Sequence, residues 1–171
     1  MRFARDESGV VSALFFLPEI DLLRLAVTQL LELMDAAGSH ALGASADPAV
    51  RRLLPDAYRD DAEAAAEFRR FTADGILERK ELNARAVLAS LGEEHDEDAD
   101  EDALPVLIRL DDAAVQAWLR TLTDLRLTLA ERLEVSPDGV QHLDADEAPF
   151  LASVYDWLGM VQESLVYAID V

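Results

Sequence analysis

The stretch VSALFFLPEIDLLRLAV, residues 11 to 27, decides the fold because its hydrophobic period changes at Pro18. Before Pro18 the apolar side chains alternate, which is typical of a half-buried β-strand. After Pro18 they recur every three or four residues, which indicates an amphipathic helix, and proline suits a first helical turn. A second stretch, IRLDDAAVQAWL at residues 108 to 119, has the same layout. We therefore predict two strand-then-helix units that start from one small sheet.

The residues flanking the first unit extend its pattern. Asp6-Glu7-Ser8-Gly9 is a turn cluster, so the first 17 residues are expected to form a small hairpin. The helix that begins at Pro18 should end at Gly38. It also carries apolar residues on further sides, which indicates that it lies centrally in the fold. These residues are Ile20, Leu22, Leu25 and Leu33.

Helical patterns fill most of the remaining chain. A helical turn should stop at Pro55, and a break at Ala73-Asp74-Gly75 should separate two helices at 62–72 and 76–91. Two longer helices are expected at 111–133 and 146–168. The inward residues of the two helices beside the break are expected to include Ala65, Phe68, Phe71, Leu77 and Leu82.

The predicted fold class is mainly α. We expect a single domain over residues 1–171, built as a helical bundle of about five or six helices with a small N-terminal β-hairpin or short strand element. Acidic loops are expected near 93–103 and 134–145.

Charge limits the function of the protein. Among 171 residues, 15 are basic and 35 are acidic, which gives a net charge of -20. Nucleic acids and anionic membranes attract lysine and arginine, so we expect this protein to bind neither. The charge is also uneven, because Glu93 to Asp102 contains eight carboxylates, whereas Arg51 to Arg85 contains eight basic and eight acidic residues.

Several chemistries are excluded or unsupported. The sequence has no cysteine, so thiol nucleophiles and disulfides between its residues are excluded. No apolar run is long enough to span a bilayer, and the run Val10 to Leu17 lacks a signal-peptide cleavage site, so we expect a cytoplasmic protein. The loop Asp96 to Asp102 fails the calcium-loop pattern, because Glu101 stands where glycine is required and Leu107 where a bidentate glutamate is required.

No catalytic, cofactor or metal site is predicted, and we expect no enzymatic activity. The three histidines fall in separate polar loops, far apart in sequence, at His40, His95 and His142. Arg120 and Asp124, four residues apart in the helix that follows Asp111, are interpreted as a solvated face with a weak ion pair.

Arginines in the charge-balanced region are the first candidate for binding a partner. Arginine suits the recognition of carboxylate and phosphate groups. The alternative is that these side chains pair with carboxylates of the same chain. The candidates are Arg51, Arg52, Arg59, Arg69 and Arg70.

The last helix supplies the second candidate. Tyr155, Gly159 and Gln162 share one stripe with Val166, and the glycine costs about 1 kcal/mol of helix propensity relative to alanine. Either another helix approaches closely at Gly159, or the stripe lines a small groove that accepts a ligand or a partner. In the second case Trp118 or Trp157 is expected nearby.

Four strings carry a resemblance to an actinobacterial family labelled only as a domain of unknown function. They are LLPDAYRDDAEAAAEFRRFT (53–72), ELNARAVLASL (81–91), AWLRTLTDLRLTLAERL (117–133) and VYDWLGMVQESLV (154–166). The family includes the actinomycete oxidative stress regulator, described as a cytosolic transcriptional regulator that responds to redox state and acts with an alternative sigma factor. The resemblance implies regulation through a basic protein partner, but the paired cysteines of thiol sensing are absent from this sequence.

The leading hypothesis is a non-enzymatic cytosolic regulatory interaction protein. It is expected to act in a stress response on transcription, through a sigma factor or another protein of the transcription machinery, without cofactors. The alternatives are a small-ligand-binding or enzymatic helical domain and a structural homodimer.

Overall fold

The computed structural model describes residues 2–37, 47–54, 57–58, 60–92, 104–136, 138 and 146–170. These residues form three strands, β1 (Ala4–Arg5), β2 (Val11–Phe15) and β3 (Val106–Leu110). They also form five helices, α1 (Leu17–Ala37), α2 (Pro48–Leu53), α3 (Ala62–Ser90), α4 (Asp112–Arg132) and α5 (Ala148–Ile169). The predicted class, mainly α with a small N-terminal strand element, is confirmed.

The three strands form one antiparallel sheet in the order β1, β2, β3. Asp6 closes the predicted hairpin, because its carboxylate accepts hydrogen bonds from the backbone N–H groups of Ser8 and Val10. In the pairing of β2 with β3, Val11 lies opposite Leu110 and Phe15 opposite Val106. Helices α1 and α4 follow these two strands, so the prediction that both units start from one sheet is confirmed.

An aromatic cluster joins the sheet to the helices. Trp118 of α4 is fully buried against Phe3 and Phe15, with ring centroids 5.8 and 5.9 Å away. Its indole N–H donates to Ser90 Oγ at 2.8 Å, so the polar atom of this buried ring is satisfied. The backbone N–H of Phe3 donates to Ser164 Oγ of α5, which fixes the N-terminal strand on the last helix.

Helix α3 is continuous, and the predicted break at Ala73-Asp74-Gly75 is wrong. A glycine weakens a helix by only about 1 kcal/mol relative to alanine. This cost is small beside the burial of a stripe that runs the length of the helix. The stripe consists of Ala65, Ala73, Leu77, Ala84 and Val87.

The stripe also corrects the residues expected to face inward. Phe71 is 71% exposed, Leu82 is 61% exposed and Phe68 is also exposed, whereas the small residue Ala73 is buried. These large apolar side chains are exposed because the position of a residue around the helix, and not its size, decides whether it is buried. The positions of α3 that face its neighbours are largely occupied by alanine.

Helix α4, rather than α1, lies at the centre of the fold, since it contacts α1, α2, α3, α5 and β3. The expectation of a central α1 is wrong, because Leu25 remains 54% exposed. One face of α1 is buried through Ile20, Leu23, Val27, Leu30 and Met34. Its other apolar residues line an open groove instead.

The helix ends follow local sequence signals. The Asp61 carboxylate accepts hydrogen bonds from the N–H groups of Glu63 and Ala64 at the start of α3, and Asp111 accepts one from Ala114 at the start of α4. Gly92 has a φ of 79° just after α3, the left-handed conformation that favours glycine at a helix end. The sequence alone predicts Asp60 or Asp61 as the N-cap of α3, Asp111 and Asp112 as the opening of α4, and Gly92 as a C-terminal cap, and the structure confirms these predictions at Asp61, Asp111 and Gly92.

Much of the predicted loop sequence lies outside the described residues. This holds for Gly38, Pro55, all of 93–103 and most of 134–145. No helix in the described parts of the chain combines the length and the apolar character needed to cross a membrane.

Candidate functional site

Helix α4 borders two depressions that differ in chemistry. The first, the polar cleft, lies between α3, α4 and α5, has a volume of about 540 Å³ and contains an ion pair. The second, the apolar groove, lies between α1, α4 and α5 and has a volume of about 510 Å³. Both volumes are in the range of small-molecule and peptide-anchor sites.

A buried ion pair forms the base of the polar cleft. Lys80 Nζ of α3 lies 2.5 Å from Asp124 Oδ1 of α4, and Asp124 is only 3% exposed. The interpretation of Asp124 as part of a solvated face, weakly paired with Arg120, is therefore wrong. The partner of Asp124 comes from another helix, and this pair links α3 to α4.

Burial raises the pKa of Asp124, while the hydrogen bond and the charge of Lys80 lower it. The net shift is upward, because the carboxylate loses most of its hydration inside the helix contact. A carboxyl group with a raised pKa in a cleft is typical of functional sites, but structural ion pairs show the same shift.

The predicted stripe on α5 surrounds an arginine of α4. Arg126 donates to Gln162 Oε1 at 2.9 Å, and its guanidinium lies 5.0 Å from the centre of the Tyr155 ring. Gln162 in turn donates to Thr123 Oγ1 at 2.8 Å. Tyr155, Gly159 and Gln162 thus come together, and a side chain of the neighbouring helix lies against them.

Gly159 lies against the guanidinium group of Arg126. A Cβ atom at this position would lie 3.6 Å from the guanidinium carbon of Arg126, which is ordinary van der Waals contact. The stripe is therefore a seat for Arg126. Beyond it, a depression of about 530 Å³ remains open beside Glu163 and Val166.

The two tryptophans proposed near this stripe have other positions. Trp118 is fully buried in the aromatic cluster under the sheet and contributes nothing to the stripe. Trp157 is half-buried and packs against the core. The aromatic ring that contacts Arg126 is Tyr155.

The predicted arginine group divides between two helices. Arg52 of α2 forms a 2.5 Å ion pair with Glu131 of α4, and Arg70 of α3 lies 5.0 Å over the Phe71 ring. Arg51 and Arg69 also interact with other residues. Arg59 lies outside the described residues. A partner-binding role for these arginines stays a prediction.

The apolar groove is a surface that sequence reasoning missed. Its walls include Leu25 of α1 and Phe150 of α5, which is 62% exposed, and its floor is formed by Leu125 and Leu129 of α4. Large apolar side chains grouped on a surface mark interaction sites more often than isolated ones do. The signal was the extra apolar face of α1, which was attributed to a central position.

The ion pair between Lys80 and Asp124 was also missed in the sequence analysis, although the spacing of both residues carries a signal. Lys80 stands three residues after buried Leu77 and four before buried Ala84, and Asp124 stands three after buried Thr121. A charged residue inside an apolar stripe indicates a buried charge with a partner. That spacing could have identified both residues but not their pairing.

Metal binding finds no support in the described parts of the chain, where no three side chains of His, Asp or Glu are grouped to hold an ion. His40, His95 and His142 lie outside them. The segment Asp96 to Asp102, which was compared with the calcium-loop pattern, also lies outside the described residues.

Comparison with known proteins places the chain in a family. A model described as "Domain of unknown function (DUF2017)" matches residues 1–169, and the protein belongs to that family. No solved structure matches the chain.

Curated relatives carry a more informative name. A protein named "Oxidative stress regulator AosR" from Mycobacterium tuberculosis is 31% identical over 135 residues, which cover 70% of this chain and 57% of the relative. The Mycobacterium leprae protein, named "Putative oxidative stress regulator AosR", is 31% identical over 134 residues, covering 72% and 58%. The chain thus matches little more than half the length of these relatives.

Proposed function

We propose that this member of the DUF2017 family is a non-enzymatic regulatory protein of a stress response, and that it acts by binding a protein partner in the cytoplasm. The observation that carries the proposal is its similarity, over 70% of the chain, to a protein named as an oxidative stress regulator. The similarity covers only part of that relative, so the proposal concerns the portion that the two proteins share.

The proposed partner is a protein of the transcription machinery, with an alternative sigma factor as the first candidate. A chain of net charge -20 repels DNA but attracts a basic protein surface. Regulation of transcription by this chain would therefore proceed through a protein that itself contacts nucleic acid.

The apolar groove is the proposed contact surface, and its occupant is an amphipathic helix with an apolar face and basic flanks. Helices dock into such grooves through side chains spaced three or four residues apart. Leu22, Leu25 and Leu33 offer a matching row along α1. The exposed carboxylate of Glu147 lines this groove and favours a basic partner, and the cation among the lining residues, Arg132, is paired with Asp47.

The sequence has no cysteine, so redox control through a disulfide between two of its own residues is excluded. The part of the role that we propose for this chain is therefore the protein contact.

The test is affinity capture with the tagged protein from cytosol of its native cell at moderate salt, followed by mass spectrometry. We expect a sigma factor or another transcription protein to be recovered with the wild type. The L25D variant should lose this partner, because a carboxylate in the groove opposes an apolar helix face. The matched control is L82D, which changes an exposed leucine on α3 outside the groove.

Two outcomes would contradict the proposal. Recovery of no transcription protein by folded and abundant wild type would remove the regulatory function. Equal recovery by L25D and the wild type would remove the groove as the contact surface. Circular dichroism of each variant distinguishes a lost contact from a lost fold.

A further inference from the structure

The polar cleft concentrates positive charge in a strongly acidic protein. Arg79, Lys80 and Arg120 line it, and Asp124 is the one carboxylate among its lining residues. Lys80 already neutralises Asp124. The charges of Arg79 and Arg120 are therefore not neutralised by any other residue that lines the cleft, although the chain has a net charge of -20.

These two arginines differ from four other arginines in the described parts of the chain, which are paired with carboxylates. Arg5, Arg52, Arg85 and Arg132 each form an ion pair with a carboxylate. Arg79 and Arg120 form neither an ion pair nor a hydrogen bond with any described residue. Among the described residues, nothing therefore occupies their N–H donors, which face a ligand that enters the cleft.

Helical spacing directs these side chains to the same space. Ile76, Arg79, Lys80 and Asn83 recur every three or four residues on α3 and form one face of that helix. Leu119, Arg120, Thr123 and Asp124 form the facing surface of α4. The cleft consequently has a cation from each helix, and Ile76 and Leu119 add apolar side chains to its lining.

Lys80 is held in position with donors to spare. An ammonium group has three N–H donors, and the hydrogen bond to Asp124 uses one of them. Asp124 also prevents the ammonium from turning away, because it is buried and belongs to a different helix. A ligand oxygen would meet a cation that is already oriented.

Arg126 adds a third positive group at the edge of the cleft. It is joined to the cleft through Gln162, which lines both this depression and the next one. Its hydrogen-bond partners are the neutral groups of Gln162 and Tyr155. Its buried Nε has no partner among the described residues, and Glu163, which lines the neighbouring depression, forms no ion pair with it.

We propose that the polar cleft binds a small dianion, either an organic phosphate or a dicarboxylate. Arg79 and Arg120 would bind its oxygens through paired N–H donors, which match the geometry of phosphate and carboxylate groups. Lys80 supplies a further charge, and the amides of Asn83 and Gln162 supply neutral donors. A volume of about 540 Å³ suits a small metabolite.

The experiment titrates the full chain, slightly above neutral pH, with glycerol phosphate and, separately, with succinate, which are both dianions there, while sodium chloride keeps the ionic strength constant. Calorimetry is expected to show saturable binding to one site for at least one of the two anions. Amide NMR signals of 79–83 and 120–124 should shift during that titration. Tighter binding of glycerol phosphate assigns the ligand to the phosphates, and tighter binding of succinate assigns it to the carboxylates.

Two matched variants test the site. R79Q/R120Q removes two exposed charges that line the cleft, and R70Q/R85Q removes two exposed charges from elsewhere on α3, of which Arg85 is paired with Glu81. Affinity should fall at least about tenfold in the first and stay within about twofold in the second. R79K/R120K keeps the charge but lacks the paired donors, so an intermediate affinity is expected even if the glutamine variant unfolds.

The proposal is overturned if the folded wild type binds neither anion saturably, or if R70Q/R85Q loses as much affinity as R79Q/R120Q. The first result would leave the cleft without a ligand of this class. The second would show that general charge attracts the anion. Neither measurement involves a protein partner, so its result is independent of the proposed regulatory function.

Discussion

The polar cleft and the apolar groove have nearly equal volumes and share helix α4, yet opposite chemistry fills them. On the α3 side, α4 presents Arg120, Thr123 and Asp124, whereas on the α1 side it presents Leu125 and Leu129. One central helix can therefore present a charged surface and an apolar surface, because successive residues point about 100° apart.

The polar cleft and the apolar groove also differ in how their residues affect the free energy of unfolding. The cleft contains a desolvated carboxylate that is stable only while Lys80 accompanies it. The groove leaves apolar residues such as Leu25 and Phe150 in water, which forgoes burial without breaking any contact. Changes in the cleft should consequently affect stability, and changes in the groove should affect binding.

Replacing Lys80 should have the largest effect. The K80M variant leaves Asp124 buried and unpaired, so the free energy of unfolding at pH 7 should fall by about 3 kcal/mol. Chemical denaturation measures the difference. The double variant K80M/D124L should recover most of the loss, because it removes the buried charge as well.

Acidification should reduce the penalty of K80M. The pKa of Asp124 is raised above 3.8 in the folded protein, and it should rise further once Lys80 is removed. Protonation then favours the folded state, so the difference from the wild type should shrink as the pH falls from 7 toward 4. A difference that is the same at both pH values would attribute the loss to packing of the lysine stem.

Replacing Arg126 should have a smaller effect. The R126M variant loses the hydrogen bond to Gln162 and the contact with the Tyr155 ring, at a cost of about 1 kcal/mol. Thermal unfolding with R85M as the exposed control measures this cost. If R126M were as stable as R85M, the contact between α4 and α5 would not depend on Arg126.

Filling the two glycines inside helices should stabilise the protein slightly. A Cβ at Gly159 or Gly75 meets an arginine side chain at 3.6 or 3.9 Å, so alanine fits at both positions. G75A and G159A should each raise the free energy of unfolding by up to about 1 kcal/mol, or Tm by about 2 to 4 °C. A loss in G159A alone would show that the seat of Arg126 requires glycine.

Changes in the groove should have the smallest effect on stability. L25S alters a side chain that is already largely in water, so the free energy of unfolding should change by less than about 0.5 kcal/mol. Denaturant titration checks this value. A loss above about 1.5 kcal/mol would mean that Leu25 stabilises the fold, and the groove would then be less suited to a separate binding role.

The sequence predicted local features well, because these depend on neighbouring residues. The change of period at Pro18, the caps at Asp61 and Asp111, and the turn at Asp6 are all confirmed. Each one is determined within a few residues by backbone geometry and side-chain hydrogen bonds.

The failures share one cause. Phe68, Phe71 and Leu82 were expected to face inward but are exposed. The alanines Ala65 and Ala84, also expected to face inward, are buried, as is Ala73. If the neighbouring helices crossed α3 at another angle, a different set of its residues would be buried. Burial depends on which face a neighbouring helix covers, and that information is not local.

The candidate site was predicted in part. Tyr155, Gly159 and Gln162 were correctly assigned to one stripe. The neighbour of Gly159 is an arginine side chain at ordinary contact distance, and Gly159 and Gln162 also line an open depression, so a binding role for the stripe stays a prediction. Arg126, Lys80 and Asp124 were not identified, since each looks like an ordinary charged residue when its helix is considered alone.

The sequence by itself therefore determined the strand-then-helix units, the helix caps, the absence of thiols and the charge of -20. Only the tertiary structure decided that Lys80 meets Asp124 across 44 positions, that Arg126 meets Gln162 across 36, and that α1 leaves a groove beside α4. The physical reason is the distance along the sequence between the residues that interact. Period, capping and net charge follow from residues close in sequence or from their sum, whereas ion pairs and grooves depend on how whole helices pack.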